Sequence, residues 1–75
     1  MTTLHWHASA DDCIRELVEW FGPDADYALG QAVFTAARKV GAIYYGTIPG
    51  AARLNGYRYS DTFNPADYLP RGWEP

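Results

Sequence analysis

Apolar residues recur at Ile14, Leu17, Val18 and Phe21, the i, i+3, i+4, i+7 spacing that gathers them on one side of a helix, with Cys13 and Trp20 widening the stripe. Asp12, Arg15, Glu16 and Glu19 fill the opposite side, so this helix has a core face and an acidic face. Ser9 supplies an N-cap oxygen for the amide of Asp12, and Asp11 and Asp12 stand in the first turn, where carboxylates suit the positive end of the helix dipole. Gly22 and Pro23 end it. Leu29, Val33, Ala36 and Val40 repeat at i, i+4, i+7, i+11 with Tyr27 and Phe34 on a flank, which predicts a second helix over about 25–40, capped by Asp24. Arg38 and Lys39 sit in its last turn and Gly41 stops it. Its small residues Ala28, Gly30, Ala32, Ala36 and Ala37 allow another element to approach closely.

Elsewhere the period is two. The opening stretch TTLHWH (2–7) alternates and is rich in β-branched and aromatic residues, as in a short strand with His5 and His7 on one face. AIYYGTI (42–48) and YRYS (57–60) read as two further strands that pair antiparallel. Between them Pro49-Gly50 suits a type II turn and Asn55-Gly56 a type I′ hairpin turn, which would give a three-stranded meander through 51–54. Ala51, Ala52, Arg53 and Leu54 equally suit a helical turn inside a long hairpin loop. Residues 61–75 hold three prolines and no periodicity, an irregular tail with one helical turn at 64–67, pinned by Phe63, Tyr68, Leu69 or Trp73. The expected architecture is one compact α+β domain over 1–75: N-terminal strand, two amphipathic helices, C-terminal antiparallel hairpin or meander, and tail.

Composition agrees with a folded domain. At 75 residues the chain has material for one core, and its 48% hydrophobic content with twelve aromatic residues is far from the composition of disordered chains. A lone Cys13 cannot form an internal disulfide, no apolar run is long enough to span a membrane, and Met1-Thr-Thr-Leu-His lacks the form of a signal peptide. These features place the expected working compartment in a reducing cytoplasm.

Candidate chemistry is sparse. His5 and His7 on one strand face, with Cys13, could in principle chelate a transition metal, but a closed zinc site wants four ligands and no second cysteine is present, so no metal or cofactor is expected. Phosphate-binding, zinc-protease, nucleophile-elbow and dithiol motifs are all missing. Cys13 as a nucleophile with a histidine base conflicts with its place on the core stripe. The expected protein is therefore not an enzyme.

Charge carries more information. The net charge is −3, yet residues 1–27 hold Asp11, Asp12, Glu16, Glu19, Asp24 and Asp26 against Arg15 alone, while residues 38–58 hold Arg38, Lys39, Arg53 and Arg58 and no acid. Solvated faces and helix-dipole matching account for part of this asymmetry. If the acidic side works, those six carboxylates fit a partner's cationic, nucleic-acid-binding groove, with Trp6, Trp20, Tyr27 and Trp73 as aromatic anchors. If the basic side works, Arg38, Lys39, Arg53 and Arg58 with Tyr44, Tyr45, Tyr57 and Tyr59 form a platform for phosphates and stacked bases.

Two resemblances bear on this choice. Over residues 9–60 the order helix, helix, strand, long loop, strand resembles the end of a winged helix-turn-helix domain, best in ARKVGAIYYG and NGYRYS. It has two long helices where that family has three shorter ones, and the resemblance implies DNA binding through the basic hairpin side. In length, acidity and single-domain format, though without a shared motif, the chain also resembles the small proteins with which bacteriophages block host defence, anti-CRISPR proteins among them. That likeness implies a phage or mobile-element inhibitor that binds a host nucleic-acid-handling complex through Asp11, Asp12, Glu16, Glu19, Asp24 and Asp26. A structural subunit or homo-oligomer that buries Trp or Tyr between copies is a third expectation.

Overall fold

The computed structural model describes residues 3–50 and 54–73. The elements run β1 (Leu4–His7), α1 (Ala10–Phe21), α2 (Tyr27–Lys39), β2 (Tyr44–Thr47), β3 (Asn55–Ser60) and a short 3-10 helix (Pro65–Tyr68). Ser9 caps α1 as the pattern predicts: its backbone is extended and its Oγ accepts the Asp12 amide at 3.1 Å. Gly22, with φ of 97°, turns the chain out of α1 while its N–H donates to the carbonyls of Val18 and Glu19. The cap of α2 is Asp26, not Asp24: Asp26 Oδ1 accepts the Leu29 amide at 2.9 Å, and the helix starts at Tyr27. Asp24 lies inside the turn closed by the Ala25 N–H on the Gly22 carbonyl, which leaves the next aspartate to cap the helix.

The three strands form one antiparallel sheet in the order β1-β3-β2. The expected Asn55-Gly56 hairpin turn does not form. Both residues lie in β3, opposite Thr47 and Gly46, and the connection from β2 runs through 48–54, closed by the Ile48 N–H on the Leu54 carbonyl at 2.8 Å. The third strand is thus the N-terminal one, paired along the far side of β3, and not a meander strand; residues 51–53, where a strand or helical turn was expected, lie outside the described residues. Gly56 works by its missing side chain: a Cβ there would stand 2.5 Å from the His7 carbonyl oxygen, so glycine is what lets β1 lie against this part of β3.

Register divides the sheet's two faces. His5, His7, Tyr45, Tyr57 and Tyr59 alternate onto the helix-facing side, while Trp6, Arg58 and Tyr44 stand directly opposite one another on the outer side. Beneath the inner side the helices contribute Cys13, Leu17, Leu29, Val33 and Ala37, joined by Ile43, all buried. Gly30 is where the helices meet, since a Cβ there would lie 2.6 Å from Val18 Cγ2 and 2.9 Å from the Ile14 carbonyl oxygen. The tail closes the remaining side: Phe63, Tyr68, Leu69 and Trp73 pack on the core, with Trp73 edge-on to Phe21 at 5.6 Å.

Candidate functional site

Helix α1 carries four of the six acidic residues and the connection to α2 carries Asp24 and Asp26, and the structure sorts them into two groups. Asp11 accepts from Arg15 Nε at 2.7 Å and from the Tyr27 hydroxyl at 2.9 Å, and these two donors, Arg15 first, hold its carboxyl below the usual carboxylate range. Glu16 reaches back over the sheet to pair with His7 Nε2. Asp26 is spent on capping α2. Asp12, Glu19 and Asp24 are exposed and, among the described residues, their carboxylates have no hydrogen-bond or ion-pair partner. Asp12, Glu16 and Glu19 fall at i, i+4, i+7, so they share one strip of α1, and Trp20 stands one turn after Glu16 on its edge. Trp20 is 56% exposed although it touches Phe21 edge-on at 5.1 Å. Beside this strip lies an open depression of about 710 Å³ lined by His7, Asp12, Arg15, Glu16, Glu19 and Tyr27 among others.

Of the expected aromatic anchors, Trp20 is the most exposed and has no hydrogen bond among the described residues, whereas Tyr27, also exposed, has its hydroxyl committed. Tyr27 is tied by its hydroxyl to Asp11, Trp73 packs on Phe21, and Trp6 lies on the outer side of the sheet against Arg58. The acidic surface is therefore narrower than the sequence implies, with three free carboxylates and one tryptophan in place of six and four.

The basic set is split as well. Arg38 Nη1 donates to the Ile43 carbonyl at 3.1 Å and its guanidinium lies 5.4 Å over Tyr57, on the helix-facing side. Arg58 is on the other side, between the rings of Trp6 at 5.7 Å and Tyr44 at 5.3 Å. Tyr45 and Tyr57 pack edge-on at 4.9 Å and Tyr59 faces the core, so of the four tyrosines only Tyr44 shares a face with Arg58. Lys39 is exposed at the end of α2, and Arg53 lies outside the described residues. A single platform of four cations and four tyrosines is not what this register builds.

The histidine and cysteine candidates enter a packed cluster. His5 stacks on Tyr59 at 5.0 Å, His7 lies 5.9 Å from the same ring, and the pairing with Glu16 takes His7 Nε2. Among the described residues no three His, Cys, Asp or Glu side chains converge as a metal site. Burial, and after it the Glu16 carboxylate, pushes the Cys13 thiol up to about 12, which leaves it protonated and a poor nucleophile near neutrality. The Tyr59 hydroxyl is also pushed well above its ordinary value, by burial first and then by Glu16.

The Trp6-Arg58-Tyr44 row is the feature that strand-by-strand reading misses, because it exists only once β1 is known to pair with β3. Comparison with protein-family models, with curated proteins and with solved structures finds no match. The fold is that of an α+β domain with a helix pair packed on one face of a three-stranded antiparallel sheet, in which no described helix is long and apolar enough to cross a membrane.

Proposed function

We propose that this protein is a non-catalytic binding protein that docks the Trp20-bearing acidic strip of α1 onto a basic, nucleic-acid-binding surface of a protein partner. In this reading it is a phage or mobile-element inhibitor of a host nucleic-acid-handling complex, anti-CRISPR-like in format, acting in the host cytoplasm. The observation that carries it is that Asp12 and Glu19 on α1, and Asp24 in the turn that follows, are exposed and unpaired among the described residues, while Trp20, on the edge of the same helix strip, is more than half exposed. Carboxylates presented this way steer a cationic partner, and a large rigid aromatic at their edge is the residue type that anchors interfaces. Asp11, Glu16 and Asp26 support the surface indirectly, by holding Tyr27, His7 and the start of α2.

One observation favours a second reading. The β2–β3 hairpin follows the helix pair, as the wing does in a winged helix-turn-helix, and α2 is free of acids, with Gln31, Thr35 and Lys39 along one depression. Asp24 and Asp26 count against it, since they surround the start of α2, where a helix entering a DNA groove meets phosphates.

The test is capture from bacterial lysate at moderate salt, nuclease-treated and untreated, with purified partner then asked to release a labelled nucleic acid. The inhibitor reading expects a stoichiometric partner that survives nuclease, loses its nucleic acid to the protein, and no longer binds the triple variant Asp12→Lys, Glu19→Lys, Asp24→Lys or Trp20→Ala. Variants at Arg38, Lys39, Arg53 and Arg58 should leave that binding intact. Recovery of nucleic acid alone, lost on nuclease treatment and on reversal of those cations, would replace this reading with DNA binding.

A further inference from the structure

At the end of the sheet where β2 begins and β3 ends, a groove of about 460 Å³ runs between Tyr44, Arg58, Ser60, Phe63, Asp67 and Tyr68. That volume falls within the range of about 300–1,000 Å³ typical of small-molecule pockets. Arg58 is half-buried there and, among the described residues, donates no hydrogen bond and makes no ion pair. Its N–H donors are therefore left to water or to an anion that enters the groove. Trp6 on one neighbouring strand and Tyr44 on the other flank its guanidinium, with ring centres 5.7 and 5.3 Å away. A guanidinium held between two rings is open along its N–H edge, the edge that grips a planar oxyanion with two parallel hydrogen bonds. Around it the groove offers aromatic walls in Tyr44, Phe63 and Tyr68 and a single carboxylate at Asp67, while the Ser60 hydroxyl is already bonded to Thr62.

We infer that this groove is a binding site for a small planar aromatic molecule bearing an oxyanion, the anion held by the edge of Arg58, the ring against Tyr44, Phe63 and Tyr68, and a hydroxyl or amino donor of the ligand met by Asp67. The site is separate from the α1 surface and stands whether or not that surface binds a protein. It also gives the Trp6-Arg58-Tyr44 row a purpose that core packing does not, because all three lie on the side of the sheet away from the helices.

The experiment is a nitrogen-15 NMR titration of the full chain, following the Arg58 Nε–H signal, with 4-hydroxybenzoate, phenyl phosphate and the neutral isostere 4-hydroxybenzamide. Saturable movement of the Arg58 signal with either anion is expected, and the benzamide should bind at least about tenfold more weakly, as loss of a hydrogen bond to a charged group implies. Movement with one anion only assigns the site to carboxylates or to phosphates; movement with both assigns it to the shared oxyanion. Arg58→Gln should lose binding, and Arg58→Lys, which keeps the charge without the fork, should weaken it. An Arg58 signal unmoved by both anions, or equal affinity for the benzamide, overturns the inference without reliance on any variant's folding.

Discussion

Replacing Gly30 by alanine puts two effects of known size in opposition. Helix propensity alone favours the substitution by about 1 kcal/mol, because glycine in a helix interior gives up more backbone freedom than alanine. The new methyl, however, would arrive 2.6 Å from Val18 Cγ2, 2.9 Å from the Ile14 carbonyl oxygen and 3.0 Å from Ile14 Cγ2. Val18 has little room to rotate away, since a valine in a helix is held near one χ1 rotamer. The Ile14 oxygen belongs to the α1 backbone and moves only if the helix moves. Overpacking of this kind costs about 1–3 kcal/mol in well-packed cores, and contact with backbone puts Gly30 at the upper end. The net expectation is a loss of about 1–2 kcal/mol, which in a domain this small lowers the melting temperature by about 5–15 °C. Thermal and urea unfolding followed by circular dichroism measure it, with Ala32→Gly as reference: Ala32 is exposed on the same helix, so its change should cost about 1 kcal/mol from propensity alone. A Gly30→Ala protein that melts above wild type would refute the close helix crossing at this residue.

Two further outcomes follow from the caps and from burial. Asp26→Ala should cost about 1 kcal/mol through the lost bond to the Leu29 amide, whereas Asp24→Ala should be nearly neutral; equal losses in urea melts would mean that the cap is wrongly placed. Cys13 has its thiol raised from an ordinary value of 9.0 to about 12 by burial and then by Glu16, so the unfolded chain releases this proton first. Its contribution to stability is thus complete below pH 9 and declines as pH rises toward 12, with a slope of up to about 1.4 kcal/mol per pH unit. Tyr59, raised by burial and Glu16, adds to the decline once pH passes its ordinary value. Cys13→Ala should flatten the profile between these limits, and a variant whose profile runs parallel to wild type there would remove burial of the thiol as the cause.

The parts of the fold that sequence discloses are those decided within a few residues. The Ile14, Leu17, Val18, Phe21 stripe and the Ser9 cap fix α1 almost to the residue, because both depend on spacing alone. The start of α2 lies two residues beyond the position the pattern predicts, because Asp24 and Asp26 are equally good caps in isolation and the tight turn closed from Ala25 to Gly22 decides between them. Strand pairing was harder still. Asn-Gly is a strong hairpin signal locally, yet here Gly56 is required by the His7 carbonyl, a contact nearly fifty residues away in the chain. Local turn chemistry lost to a non-local approach of two backbones, and no short window contains both partners.

The same distinction governs the candidate site. Counting charges along the chain finds six carboxylates on the acidic side, but a carboxylate is available to a partner only if the fold does not already use it. Asp11 binds Arg15 and Tyr27, Glu16 binds His7 across the helix-sheet interface, and Asp26 holds the start of α2. Reversing all six would therefore test folding as much as binding. Reversal restricted to Asp12, Glu19 and Asp24 comes far closer to separating the two, because each is exposed and none has a side-chain partner among the described residues; Asp12 alone also serves the first turn of α1, where its reversal costs about 0.3–1 kcal/mol. Conversely, Arg58 looked like one member of a dispersed basic set, and its pairing with Trp6 and Tyr44 makes it the one guanidinium held between two rings yet lacking an anion among the described residues. Charge counts point to a side of the molecule; the hydrogen-bond partners already taken decide which residues on that side are free to act.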